Sequence, residues 1–123
     1  MSRDTIERYW SSANRRDWAA FAALLDAEVL YEVPQTRERV RGREAYVEFN
    51  RTWPGAWVAE VLQIVADADT GSAVSQIHFH VDGEVMTGIS FFALRDGLIT
   101  KITDHWPEAY EPPARMTAVV ERY

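Results

Sequence analysis

After Gly55 the chain alternates apolar and polar residues with a period of two, through Trp57 to Ala66, Ser72 to Val81, Glu84 to Leu94 and Leu98 to Trp106. A period of two puts successive side chains on opposite faces of a strand, and a helix cannot sort it into one apolar side. Asp82-Gly83 separates the second run from the third and is a strong two-residue hairpin signal. Arg95-Asp96-Gly97 separates the third from the fourth and reads as a three-residue loop. The four runs therefore predict an antiparallel meander.

The first half carries helical spacing instead. Ile6, Tyr9, Trp10 and Ala13 share one face of a helix starting near Ser2 or Asp4 and broken by Asn14-Arg15-Arg16. Asp17 caps a second helix, Trp18 to Leu25, with Trp18, Phe21, Ala22 and Leu25 on one side. Glu28 to Val33 reads as a strand ended by Pro34. Arg37, Arg39, Arg41 and Arg43, interleaved with Glu38 and Glu44, read as a solvated, locally neutralised loop. A third helix runs from Arg43 to about Trp53, with Tyr46, Phe49, Asn50 and Trp53 as its apolar stripe and Pro54-Gly55 as its stop. Three helices followed mainly by a long-stranded sheet is an α+β layout in which helices cover one sheet face. A chain of 123 residues has room for one domain, residues 1–123, with 111–123 as a C-terminal tail.

Register then decides which polar groups meet. The first hairpin pairs Phe79 with Met86 and Ile77 with Gly88, and a three-residue second loop pairs Ser90 with Ile102, Gly88 with Asp104 and Met86 with Trp106. One face collects Ile77, Phe79, Met86, Gly88, Ser90, Phe92, Leu98, Ile102, Asp104 and Trp106 and turns toward the helices. The other collects Gln76, His78, His80, Thr87, Lys101, Thr103 and His105 with Ile89 and Phe91. It suits water or a partner subunit.

Asp104 stands out on the inward face. A carboxylate among Ile102, Trp106, Met86 and Phe79 has its pKa raised by desolvation, and such a group suits general base work. Gly88 opposite it leaves room for a ligand. The plainer alternative is that Asp104 bonds to a backbone amide or to water near the strand end. Tyr31 and Asn50 also point inward by pattern and offer hydrogen-bonding tips to a cavity, or satisfy groups in a dry core. The rings of Tyr9, Trp10, Phe21, Tyr31, Phe49, Trp53, Phe79, Phe92 and Trp106 face the same space, where they wall a pocket or fill it. No metal is expected: His78 and His80 stand about 7 Å apart along a strand, and His78 and His105 about 10 Å apart across three strands.

Composition excludes several classes. Thirteen Lys and Arg against nineteen Asp and Glu give a net charge of −6, which repels a phosphate backbone and an anionic membrane. With no cysteine, disulfides, thiolate metal sites and cysteine nucleophiles are out. No apolar run is long enough to span a bilayer and the first residues lack a signal-peptide layout, so a cytoplasmic location is the expectation.

Tyr9-Trp10, Asp17-Trp18, Tyr31-Glu32-Val33-Pro34, Arg41-Gly42-Arg43-Glu44-Ala45 and Asp96-Gly97-Leu98-Ile99, in this order of elements, resemble the nuclear transport factor 2-like superfamily. The chain is most similar to its SnoaL-like polyketide cyclase branch, over residues 3 to 110. The resemblance implies a curved sheet wrapped around the helices into a cone with an apolar cavity, and frequent dimerisation through the outer sheet face. It also implies that Asp104, on the last strand, is the cavity acid/base. Epoxide hydrolase relatives carry an Asp-Arg-Asp set that is missing here, and dehydratase relatives have histidines in the cavity, whereas His78 and His80 face outward.

These readings converge on a pocket protein for a small hydrophobic molecule. It acts as a cofactor-independent isomerase, cyclase or dehydratase, with Asp104 as base and Tyr31 or Asn50 polarising a carbonyl. The alternative is a non-catalytic ligand-binding or dimerisation module of the same fold. The tail, with Met116, Val119, Val120 and Tyr123 apolar, folds over the cone mouth or onto a partner in either case.

Overall fold

The computed structural model describes residues 2–123, which run as α1 (Ser2–Asn14), α2 (Trp18–Ala22), β1 (Leu25–Val33), β2 (Glu38–Arg41), α3 (Arg43–Arg51), β3 (Val58–Asp67), β4 (Ser72–Val81), β5 (Glu84–Arg95) and β6 (Leu98–His105). The strands form one six-stranded sheet in the order β2-β1-β6-β5-β4-β3. Every neighbouring pair is antiparallel except β1 with β6. The sheet is curved and the N-terminal helices pack on it, as the α+β expectation required.

Both Asp-Gly pairs adopt positive φ at both residues, Asp82 at 51° with Gly83 at 80° and Asp96 at 54° with Gly97 at 79°. That is the type I′ geometry whose twist matches a two-residue hairpin. The first register is as expected, with Phe79 opposite Met86 and Ile77 opposite Gly88. The second is not. Arg95 pairs directly with Leu98, so the loop has two residues rather than three, and a bulge follows in which Ala93 pairs with Lys101 while Leu94 pairs with Ile99. Thr100 is the extra residue, and its hydroxyl donates to the Ala93 carbonyl at 3.1 Å. The two corrections together move the register by two, so Ser90 rather than Gly88 stands opposite Asp104. Beyond the bulge the shift of two preserves the faces: Ile77, Phe79, Gly88, Ser90, Phe92, Ile102 and Asp104 are all buried. Before the bulge the shift is one, so Ile99, opposite Leu94, takes the inward place expected for Leu98.

Three element boundaries also differ. The second helix stops at Ala22, because Leu25 pairs with Ile99 as the first residue of β1. Apolar residues three or four apart also fit a helix that ends in a buried strand. The arginine-rich stretch forms β2 rather than a loop, with Arg39 opposite Glu32 and ion-paired to it. Four residues with one half-buried apolar side chain, Val40, are too few to show a period. The third helix ends at Arg51, two residues before Trp53.

The helix α1 is tied to the sheet by its last side chain. Asn14 donates to the Ala59 carbonyl and accepts from the Ala59 amide, both at 2.8 Å. One turn later Arg16, at φ 59°, lays its guanidinium 3.7 Å from the centre of the Trp57 ring. These clamps set the depth at which Tyr9 and Trp10 enter the space above the sheet. After His105 no further strand or helix forms among the described residues, and Met116, Val119 and Tyr123 are exposed. None of them covers the cone mouth, contrary to that expectation for the tail. No described helix is long and apolar enough to cross a membrane.

Because Ala59 is buried, Asn14→Ala leaves its amide and carbonyl without their side-chain partner. The expected loss is about 1–3 kcal/mol in urea unfolding. A change below about 0.5 kcal/mol would show that water replaces the amide at no cost.

Candidate active site

A cavity of about 250 Å³ lies between the helices and the inner sheet face. Trp10 enters from α1, Phe21 from α2, Phe49 from α3, Phe79 from β4 and Trp106 from just beyond β6, with Trp53 at the outer edge. These six aromatics and Tyr31, Asn50 and Asp104 are the expected site residues that line it. Met86, Gly88 and Ser90 do not belong to the wall. Met86 is 40% exposed at the strand end. Gly88 leaves no room for a ligand, since a Cβ there would lie 2.9 Å from the Trp106 ring. The space expected for a ligand is occupied by that indole. Ser90 lies behind Asp104 and bonds to it.

The Asp104 carboxyl is gripped on both oxygens. Ser90 Oγ donates to Oδ1 and Tyr31 Oη to Oδ2, each at 2.6 Å. The Ser90 bond follows from the strand pairing, and the Tyr31 bond from the parallel pairing of β1 with β6, which sets Tyr31 beside Ile102. Burial raises the Asp104 pKa above the ordinary carboxylate range, while the two hydroxyl donors and His105 pull it back. Desolvation dominates, so the protonated form is favoured more than in water. Burial raises the Tyr31 phenol too, reinforced by Asp104 and more weakly by Tyr46 and Glu38.

A second hydroxyl pair sits beside this one. Tyr9 Oη and Tyr46 Oη share a short hydrogen bond, and both phenols are raised well above their usual range by burial and by the Asp104 charge. One of two paired hydroxyls donates to the other and keeps its acceptor's proton free for a further partner. Asn50 lines the cavity as expected and donates one amide hydrogen to the Tyr46 backbone carbonyl at 2.9 Å, a bond that leaves its second hydrogen and its carbonyl oxygen uncommitted.

Tyr9 lines the wall, as its ring was expected to, whereas Phe92 does not; Tyr46, Trp57 and Glu38 also line it, and the sequence does not mark them as site residues. Tyr9 and Tyr46 lay on apolar helix faces, where periodicity registers the ring and not the hydroxyl. Glu38 belongs to β2, exposed at the mouth, and accepts from Thr36 Oγ1 at 2.6 Å. Recognising β2 as a strand would have put Glu38 opposite Val33 and on the cavity side. The residues whose donor atoms converge closely enough for a metal ion, Glu60, His78 and His80, lie outside the cavity.

A curved sheet closed by three helices over an aromatic pocket defines an α+β cone with a buried acid at its base. The sequence profile of the SnoaL-like domain matches residues 6–102, and the chain belongs to that family. Asp104 lies just beyond the matched segment. A candidate ketosteroid isomerase from Kribbella flavida is 41% identical, with 99% of this chain and 89% of that one covered and a TM-score of 0.92. A candidate polyketide cyclase from Xanthomonas campestris is 23% identical over 84% of this chain and 87% of that one, with a TM-score of 0.74. An NTF2-like protein of unknown function from Burkholderia xenovorans is 20% identical over 99% and 94%, with a TM-score of 0.82. The last two are similar in fold. No curated protein matches the sequence.

The raised Asp104 pKa has a signed consequence for stability. A carboxyl that holds its proton more tightly folded than unfolded contributes stability fully below its unfolded value of about 4, and that contribution fades as pH rises through the folded value. Asp104→Asn removes the titration. Wild type should therefore lose stability relative to Asp104→Asn as pH rises from about 4 toward 7 in urea unfolding. A difference that stays flat, or that grows in favour of wild type, would contradict the desolvation account.

Proposed function

We propose that the protein is a cofactor-independent isomerase or cyclase acting on a small apolar ketone held in the aromatic cavity. The observation that carries this reading is a pair of carboxyl groups on one apolar wall in opposite surroundings. Asp104 is buried, which raises its pKa, while Glu38 stands at the exposed mouth. A buried carboxyl facing the same space as a solvated one is a division of labour that proton-transfer sites use. The likeness to the candidate ketosteroid isomerase from Kribbella flavida supports the same ketone chemistry.

In this reading Glu38 takes a proton from the carbon next to the ketone. The C–H pair becomes a carbon–carbon double bond and the carbonyl pair moves to oxygen, giving an enolate. Returning the proton to another carbon completes an isomerisation, and attack of the enolate on a second carbonyl closes a ring. The enolate oxygen is met by the free proton of the Tyr9–Tyr46 pair. When Asp104 is protonated and donates to Tyr31, the Tyr31 proton is released to the same oxygen. In this reading Glu38 takes the base role expected for Asp104, because burial favours the protonated form of Asp104 and a protonated carboxyl has no place for a further proton. Asp104 and Tyr31 remain the proposed catalytic residues on the oxyanion side. A volume of about 250 Å³ is near the lower edge of small-ligand sites, so the ketone is compact or reaches out through the mouth.

Deuterium exchange at the α-carbon of a panel of cyclic ketones, followed by NMR, tests the assignment without a known substrate. Glu38→Gln should slow exchange by about 10²–10⁴-fold with ketone affinity nearly unchanged. Asp104→Asn keeps a donor and should cost less than Asp104→Leu. Loss in Asp104→Asn with none in Glu38→Gln would return the base role to Asp104. Binding without exchange for every ketone would leave the non-catalytic ligand-binding reading.

Dimerisation through the outer sheet face belongs to the same proposal. Val65 and Phe91 flank Val74 in one cross-strand line on that face, and both are about half exposed, at 56% and 48%. Light scattering should give twice the chain mass, and Phe91→Glu should return the monomer. A monomeric wild type at high concentration would remove this part.

A further inference from the structure

On the sheet face opposite Asp104, Glu60 of β3 stands directly across from His78 of β4, and His80 lies two residues further along the same strand. Strand spacing alone leaves the two histidines about 7 Å apart, which looked too loose for shared ligation. The side chains close that gap around Glu60. Its Oε1 is 2.8 Å from His80 Nε2 and 3.8 Å from His78 Nδ1, and one donor atom from each of the three lies within 4.8 Å of the other two. Ligands at about 2.1 Å from a tetrahedral ion are about 3.4 Å apart. All three side chains are partly exposed, so small torsional changes supply the difference.

We infer that Glu60, His78 and His80 form a three-ligand site for a divalent transition-metal ion, with zinc as the reference case. Two imidazoles and one carboxylate are a borderline donor set that suits zinc, nickel and copper over magnesium or calcium. The ladder between β3 and β4 holds the three backbones in fixed register, so the ligands are brought together before the ion arrives. A net charge of −6 favours cations near the surface. Three protein ligands leave a fourth position open to water or to a donor from another molecule. The site lies across the sheet from the cavity, so it stands or falls independently of the ketone chemistry.

Calorimetric titration of the tag-free full chain with zinc chloride, and separately with nickel chloride, tests this at about pH 7.5, where imidazole is neutral enough to ligate. Saturable binding is expected with Kd below about 1 mM, weakened at least about fivefold by His78→Ala, by His80→Ala and by Glu60→Gln. His105→Ala, on the same sheet face but two strands away from β4, should leave it unchanged. His78→Gln and His80→Gln repeat the measurement if an alanine variant fails to fold. Saturating zinc should raise the Tm of wild type and His105→Ala by several degrees and leave the ligand variants unmoved. No saturable binding up to about 1 mM, a smaller loss in the ligand variants, or an equal loss in His105→Ala would overturn the inference.

Discussion

A carboxyl group shut off from water by aromatic rings is costly unless its oxygens find donors, and that condition shapes the inner face of this sheet. Ser90 and Tyr31 meet it from the two strands that flank β6, each at 2.6 Å. Neither can be supplied without the strand pairings that deliver them. The bulge at Thr100 brings Ser90 opposite Asp104, and the parallel pairing of β1 with β6 brings Tyr31 alongside. Topology and site are thus one arrangement seen at two scales.

The helices complete it by excluding water. Tyr9 packs against Trp10, Phe21 and Phe92, while Tyr46 packs against Tyr31 and Phe49, so the phenols that bond to one another are held by rings on every side. Trp10 reaches across the core to donate to the buried Ser75 hydroxyl at 3.0 Å, which fixes the indole against the sheet. Among the described residues no buried side-chain polar atom lacks a partner. The cavity is therefore an apolar space with a satisfied polar floor, able to accept one polar atom of a ligand where the hydroxyls keep spare capacity.

Much of this was legible in the sequence because strand and helix periods are strong over long segments. The alternation in β4 to β6 tells which residues face inward, and a register shift of two beyond the bulge leaves that parity unchanged, whereas the shift of one before it exchanges Leu98 for Ile99. The aromatic wall and Asp104 followed from it. What the sequence left dark has physical causes. A bulge leaves no mark in a period-two pattern until partners are seen, so Ser90 was placed opposite the wrong residue. β2 is too short to show alternation, which hid Glu38. Tyr9 and Tyr46 read as core because a buried ring and a buried phenol look alike by pattern. The missing side chain at Gly88 suggests room for a ligand in the sequence, but such a gap is as easily filled by a neighbouring ring, here Trp106.

Burial outweighs the two hydroxyl donors at Asp104, which raises its pKa and favours the protonated acid that directs Tyr31. The most direct measurement is the ¹³C carboxyl shift of Asp104 followed by NMR across pH in wild type and in Tyr31→Phe. The predicted result is a midpoint above the ordinary aspartate value of about 4, moving higher still when the Tyr31 donor is removed. A midpoint at or below that value, or one that falls in Tyr31→Phe, would contradict the account.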